Sequence, residues 1–189
     1  MAVLILRAMA LLAFGGLGLI PARGRSGEKP SPPGERRGSR LPVVANFSGL
    51  GLSLTLLVAA PGGTEGPMAL LLALAGALVA LTGSAVVVRS RAELGGAWSL
   101  VPTASEHAGV VATGPYRLVR HPIYLGFSLL ALGEAIAFGS MPAVLAVIAV
   151  VIPSFLWRAR EEEKLLLRVF GERYLRYVKQ TKIMIPYLL

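Results

Sequence analysis

A cluster of polar and aromatic residues stands directly before a long apolar stretch of this chain. Residues 114–126 read Gly-Pro-Tyr-Arg-Leu-Val-Arg-His-Pro-Ile-Tyr-Leu-Gly, and the apolar stretch predicts a membrane helix that begins immediately afterwards. Ionisable groups are costly at such a boundary and are typical of functional sites. An imidazole, two phenols and a proline turn suit the recognition of a polar, charged small molecule beside an apolar groove. We therefore interpret this segment as half of a cofactor site.

A pair of opposite charges follows the last apolar stretch. Arg158 and Glu162 are four residues apart, so they share one face of a helix about one turn beyond the predicted span. A charge run of this kind is commonly an interfacial ion pair with solvated neighbours. This pair comes directly after a span, however, where it can face the polar segment that precedes the neighbouring span.

The chain offers few ligands for a metal ion. It has two histidines, His107 and His121, and no cysteine, which is too few for a convincing metal site. We therefore expect no metal. The absence of cysteine also excludes disulfides and a cysteine nucleophile, and it leaves the redox compartment open.

The composition is that of an integral membrane protein. Of the 189 residues 54% are hydrophobic and 15% are charged, and a soluble domain of this size needs more charge to cover its surface. The net charge of +9 is concentrated in segments 23–40, 89–91 and 158–182, which is the positive-inside pattern. Membrane lipids are expected partners. No nucleic-acid partner is expected, because no recognition module accompanies the charge.

The apolar stretches predict an all-α, polytopic membrane protein with about five transmembrane helices, at residues 3–20, 43–60, 67–88, 123–138 and 142–157. The first stretch reads as a retained helix rather than a cleaved signal peptide, because no clear cleavage site follows it. The loop 21–42 is expected to be disordered and cytoplasmic. The turns 61–66 and 139–141 lack Lys and Arg, so we expect them outside and the C-terminus, with its amphipathic helix, in the cytoplasm.

Two local features of the hairpin 123–157 carry structural expectations. Pro153 should kink the second helix or loosen its hydrogen bonding. Gly126, Gly133 and Ala137 are small enough to let another helix pack closely, although they are equally consistent with glycines that a membrane helix merely tolerates.

The two charged segments together resemble a known family. Residues 114–126, followed after a helical hairpin by Arg158-x-x-x-Glu162-Glu163-x-x-Leu166-x-x-x-Phe170-Gly171-x-x-Tyr174-x-x-Tyr177, are similar to the isoprenylcysteine carboxyl methyltransferase family and its phospholipid methyltransferase relatives. The resemblance covers about residues 94–186. The Arg-His-Pro-x-Tyr portion alone also resembles membrane sterol reductases.

The resemblance implies S-adenosylmethionine as the methyl donor. It makes residues 93–189 a methyltransferase-like cofactor-binding region, and the apolar stretches before it make residues 1–92 a region of N-terminal transmembrane helices with the basic loop 21–42. Glu162 would be a catalytic residue that binds the cofactor, and Arg158 would be a catalytic residue that faces the methyl acceptor. The other implied cofactor-binding residues are Val110, Val111, Tyr116, His121, Pro122, Ile123 and Tyr124.

The residue types leave the acceptor open. A carboxylate acceptor needs a cation such as Arg158 to orient it, whereas an amine needs a base, for which Glu162 or Glu163 could serve. Arg158 favours a carboxylate, and the resemblance implies carboxyl O-methylation of an isoprenylcysteine-type acceptor. Such a lipophilic or prenylated substrate would enter from the bilayer. The alternatives are a phospholipid N-methyltransferase, an NADPH-dependent sterol or lipid reductase, and a non-catalytic membrane scaffold. We expect the site on the cytoplasmic side of the cell's inner membrane, with no obligatory protein partner.

Overall fold

The computed structural model describes residues 2–19, 36–37, 41–60, 62, 65–95, 103–104 and 109–185. These residues form seven α-helices, which are α1 (Ala2–Leu19), α2 (Leu41–Ala59), α3 (Gly66–Leu94), α4 (Pro122–Ala137), α5 (Met141–Ala146), α6 (Ile152–Phe170) and α7 (Glu172–Gln180). A 3₁₀ turn at Gly114–Arg117 precedes α4, and a π-helical turn at Val147–Val151 joins α5 to α6. Two short strands, β1 (Arg36–Arg37) and β2 (Thr103–Ala104), pair antiparallel.

The fold is helical, as the apolar stretches predict, apart from the β1–β2 pair. Within the described residues, three helices are long and apolar enough to cross a membrane, at Leu41–Ala59, Gly66–Leu94 and Met141–Phe170. The third of these joins α5, the π-helical turn and α6 into one helix of 30 residues. It therefore continues well beyond residue 157, where the predicted span ends, and carries the charged segment on the same rod. Helix α4 is apolar but shorter.

Glycines bring α3 and α4 into backbone contact. A Cβ atom at Gly133 would lie 2.4 Å from the backbone nitrogen of Ala80, and one at Gly126 would lie 2.7 Å from the backbone oxygen of Gly83. Side chains would force these helices apart, since real Cβ atoms do not approach so closely. Of the two interpretations of the α4 glycines, the structure supports close helix packing.

The expected disturbance at Pro153 takes the form of a wide turn. The helix adopts π-helical hydrogen bonding at Val147–Val151, directly before the turn that contains Pro153. Proline lacks the backbone N–H and its ring crowds the preceding turn, so the helix relieves the conflict locally. Helix α2 packs against the wide turn, and a Cβ at Gly49 would lie 3.4 Å from Val150 Cγ1.

The helical hairpins have a common end, which we name the turn end. The backbone nitrogen of Gly62 donates to the backbone oxygen of Phe138 at 3.1 Å, so the connections after α2 and after α4 lie together. Arg7 Nε of α1 donates to the backbone oxygen of Ala137 at 3.1 Å, and the guanidinium lies 5.2 Å from the Phe138 ring centroid. The opposite end, which holds residues 109–121, the charged half of α6, and α7, is the site end.

Candidate active site

The segment that leads into α4 is anchored to the end of α3. Gly114 adopts a φ of +55°, a conformation that favours glycine, and a Cβ there would lie 2.6 Å from Glu93 Oε1. Thr113 Oγ1 donates a hydrogen bond of 2.8 Å to Glu93 Oε2. Pro115 is the second residue of the 3₁₀ turn, a position where its missing N–H costs nothing. The 114–126 segment is therefore held at a fixed place on the scaffold.

The chain after α7 returns to this segment and pairs with it. The backbone nitrogens of Arg120 and His121 donate to the carbonyls of Lys182 and Ile183 at 2.8 and 2.9 Å. The Tyr177 hydroxyl donates to the backbone oxygen of Tyr116 at 2.7 Å. The histidine before α4 is thus positioned by backbone bonds to the tail.

Arg120 holds three parts of the site end together. Its Nε donates to Glu163 Oε1 of α6 at 2.5 Å, and its Nη1 donates to the backbone oxygens of Val178, at 3.3 Å, and Thr181. The sequence pattern did not predict this role of Arg120. The three consecutive acidic residues 161–163 could have indicated such a pairing, because a carboxylate that faces the protein interior requires a cation.

Tyr124 is at the centre of the predicted site. Its hydroxyl donates a hydrogen bond of 2.6 Å to Glu162 Oε2, and the Arg158 guanidinium lies 5.2 Å from its ring centroid. The His121 ring stacks on it, with 5.3 Å between centroids and an interplanar angle of 3°. Arg158 and Glu162 therefore do face the polar segment before α4, and both contact one tyrosine.

His121 is buried between two carboxylates. Its Nδ1 lies 3.9 Å from Glu162 Oε2, and its Nε2 lies 3.4 Å from Glu163 Oε1. The Nε2 atom is not aligned for that bond, and among the described residues it has no hydrogen-bond partner. A buried polar atom in this state has capacity to bond a ligand.

Helix α2 supplies a residue to the site that the sequence pattern did not predict. Arg158 is 7% exposed, and its Nη1 donates to Asn46 Oδ1 at 3.4 Å. Asn46 Nδ2 in turn donates to Ser154 Oγ at 2.9 Å. The available signal was the single amide side chain in this largely apolar helix, since such a group needs a partner when it is buried.

The buried tyrosines of the site end remain neutral. Burial raises the pKa of Tyr116 well above its usual value, and the charge of Glu162 raises it further. Burial also raises the pKa of Tyr174 and of Tyr177, although the positive charge of Arg120 acts against both shifts. At physiological pH these phenols are therefore protonated and are not charged bases.

The remaining predicted residues occupy different environments. Pro122 opens α4, and Ile123 is buried in the core between α3 and α4. Val110 and Val111 lie half-buried in the irregular segment 109–113. Their position beside a nucleoside stays a prediction.

The amino-acid sequence matches a known protein family. Residues 71–173, more than half of the chain, match the phospholipid methyltransferase family. The chain belongs to this family. The match begins within α3, upstream of residue 94 where the resemblance was expected to start, and ends in α7. Helices α1 and α2 lie outside it.

Individual relatives match over a shorter stretch. An 83-residue segment is 35% identical to Protein-S-isoprenylcysteine O-methyltransferase A of Arabidopsis thaliana, covering 44% of this chain and 42% of the relative. A segment of 84 residues is 34% identical to Protein-S-isoprenylcysteine O-methyltransferase of Saccharomyces cerevisiae, covering 44% of this chain and 35% of the relative. The matched segment thus spans less than half the length of these relatives.

A solved structure has the same fold. The eukaryotic intramembrane Ras methyltransferase ICMT superposes with a TM-score of 0.56 over 79% of this chain and 53% of the other, at 22% sequence identity. Together with the three long apolar helices, the shared fold identifies this member of the family as an integral membrane protein.

Proposed function

We propose that this chain is an S-adenosylmethionine-dependent methyltransferase that methylates the carboxylate of a lipophilic acceptor of the S-isoprenylcysteine type. The observation that carries the proposal is the contact of Tyr124 with both Arg158 and Glu162. A cation and a carboxylate one helical turn apart can bind two different reactants beside one tyrosine. The relatives named for S-isoprenylcysteine O-methylation support the same acceptor class.

The site residues fit the donor. Glu162 retains an exposed edge, with 26% of its side chain accessible, so its carboxylate can accept from ligand hydroxyl or ammonium groups. His121 Nε2 is buried and has no hydrogen-bond partner among the described residues, so it can bond a further polar atom. When bound, S-adenosylmethionine supplies a methyl group on a positively charged sulfur for in-line displacement. Tyr116, His121, Pro122, Ile123, Tyr124 and Glu162 would hold it, with Val110 and Val111 beside the nucleoside.

The occupied carboxylates favour a carboxylate acceptor over an amine. An ionised carboxylate attacks without losing a proton, so it needs orientation by Arg158 and exclusion of water rather than a base. An amine acceptor would need a base, but Glu162 accepts from Tyr124 and Glu163 accepts from Arg120. Phospholipid N-methylation, which the family description suggests, would need the exposed edge of Glu162 as its base, and we assign that edge to the donor.

The charge distribution supports a cytoplasmic site. Exposed basic side chains cluster at the site end, at Arg117, Arg160, Lys164, Arg168, Arg173, Arg176, Lys179 and Lys182. By the positive-inside rule this end faces the cytoplasm, where the water-soluble donor is present. We infer five spans in the cell's inner membrane, α7 at the cytoplasmic headgroup level, and an acceptor that enters from the bilayer.

Ligand binding followed by methyl transfer tests the function. The detergent-solubilised protein is titrated calorimetrically with S-adenosylhomocysteine and, separately, with NADPH, and each titration is repeated on Glu162→Ala. We expect S-adenosylhomocysteine alone to bind, and the variant to lose that binding. Binding of NADPH alone would favour a reductase, and binding of neither would favour a scaffold.

The acceptor is tested with methyl-labelled S-adenosylmethionine. N-acetyl-S-farnesylcysteine and phosphatidylethanolamine are compared in the same detergent. A methyl ester releases labelled methanol in base, whereas an N-methyl group is stable. We expect base-labile label on the farnesylcysteine, and base-stable label on the phospholipid would overturn the carboxylate assignment.

A further inference from the structure

Asn46 is a buried amide on the face of α2 that packs toward α5 and α6. It is 2% exposed, and the buried positions of the same face are Pro42, Gly49, Ser53 and Leu57. An amide taken out of water and lipid headgroups is costly unless its donors and acceptor are bonded. Asn46 therefore needs the bonds it makes to α6.

The hydrogen bonds around Asn46 define which way its amide points. Ser154 Oγ donates its single proton to the backbone oxygen of Val151 at 2.7 Å, so toward Asn46 it can only accept. The atom that faces Ser154 must therefore be the Asn46 nitrogen. The Asn46 oxygen is then directed at the Arg158 guanidinium, which has only donors to offer.

The Arg158 guanidinium is consequently held from two helices. Asn46 Oδ1 of α2 accepts from Nη1, and the Tyr124 ring of α4 lies 5.2 Å from Cζ. A long arginine side chain loses considerable conformational entropy when it is fixed. If neighbouring residues already hold it in place, this entropy is not lost again when a ligand binds. Asn46 is neutral, so it orients the guanidinium without cancelling its charge.

We infer that Asn46 is a positioning residue that presents Arg158 to the acceptor carboxylate. The inference rests on the proposed function and extends it to α2, which lies outside the segment 71–173 that matches the family. It implies that α2 is part of the acceptor side of the site, whereas the donor side is built from α4, α6 and the tail.

The test compares Asn46→Leu, which keeps the size but removes the amide, with Ser53→Ala as the matched control. Ser53 is 6% exposed on the same face of α2, about 10 Å farther along the helix. We expect Asn46→Leu to lower kcat/KM for the acceptor by about tenfold to a hundredfold, the loss of one hydrogen bond to a charged group. The affinity for S-adenosylhomocysteine should be unchanged, and Ser53→Ala should retain wild-type transfer.

A double-mutant cycle separates positioning from a structural role. If Asn46 acts through Arg158, Asn46→Leu should have no further effect on transfer in an Arg158→Ala background. Additive losses would overturn the inference, as would transfer by Asn46→Leu equal to that of Ser53→Ala. If the wild-type protein transfers no methyl group, the proposed function fails and this inference fails with it. If the wild type transfers methyl groups but the losses are additive, only the role of Asn46 fails, so the two outcomes are distinguishable.

Discussion

Arg158 and Glu162 carry opposite charges one helical turn apart, and the structure gives them different neighbours. Arg158 is buried and bonded toward α2, whereas Glu162 is partly exposed and bonded to the Tyr124 hydroxyl. Burial suits a group that meets a lipophilic acceptor, and partial exposure suits one that meets a water-soluble donor. In the proposed function, the two side chains would therefore separate the reactants by polarity as well as by charge.

This separation predicts different losses for the two residues. Glu162→Ala should weaken S-adenosylhomocysteine binding, because the variant has no carboxylate to accept from the ligand. Arg158→Ala should mainly lower methyl transfer while donor binding is retained. Calorimetry and transfer assays on both variants check this, and an equal loss of donor affinity in both would contradict the division of roles.

Arg120 should matter for stability more than its neighbour Arg117. Arg120→Ala leaves Glu163 and two backbone oxygens without their cation, at an expected cost of about 1.5–3 kcal/mol. The tail after α7 should also become more accessible to protease. Thermal unfolding and limited proteolysis in detergent measure both effects.

Arg117 is the matched control, because it is exposed and lies three residues earlier in the same segment. Arg117→Ala should change neither the unfolding temperature nor the cleavage of the tail. Equal effects of the two substitutions would show that general charge, rather than the Arg120 contacts, stabilises the site end.

At the scale of helices, the packing of α3 on α4 fixes where the polar segment 114–126 is held. Gly83 and Gly126 face each other at the half of this interface nearer to the site end. Any shift of α4 away from α3 moves Tyr124, which lies in the first turn of α4, relative to α6. The glycines thus influence the site without contacting a reactant.

A methyl group at this interface should be destabilising. In Gly126→Ala the new Cβ would lie 2.6 Å from Val87 Cγ2 and 2.7 Å from the Gly83 oxygen, so we expect a loss of about 1–3 kcal/mol. Gly51→Ala in α2 is the control, because nothing lies within 4 Å of its Cβ position. Thermal unfolding of both variants in the same detergent provides the comparison, and equal unfolding temperatures would contradict the close-packing explanation.

The helical repeat predicts which residues close in sequence share a face, but it does not predict contacts between residues far apart in sequence. Arg158 and Glu162 are related by the helical repeat, and the polar segment before α4 is contiguous, so both halves of the site were identifiable. The bond from Arg120 to Glu163 joins residues 43 apart, and that from Arg158 to Asn46 joins residues 112 apart. Sequence alone does not show which helices pack together, so it predicted neither the Arg120–Glu163 contact nor the Arg158–Asn46 contact.

At the scale of the whole molecule, the two ends differ in charge. The turn end holds the connections around Gly62 and Gly139, and the site end carries the exposed basic side chains of α6 and α7. The donor, the tail and the basic residues should therefore share one side of the membrane.

Single cysteines test this orientation cleanly, because the chain contains none of its own. Glu65→Cys at the turn end should react with a membrane-impermeant maleimide in intact cells. Lys179→Cys at the site end should react only after the membrane is opened, and the cysteine-free wild type is the blank. The opposite pattern of labelling would place the site outside the cell and contradict the proposed access to the donor.

The wide turn at Val147–Val151 changes the direction in which the later side chains of the long helix project. A π-helical turn accommodates one additional residue, which rotates everything after it by about 100° relative to an uninterrupted α-helix. Ala143 packs before the turn, and Arg158 and Glu162 project after it. Deleting one residue from the turn would preserve the rod yet swing both charges away from Tyr124. The one additional residue of this turn therefore sets the direction in which Arg158 and Glu162 project from the long helix.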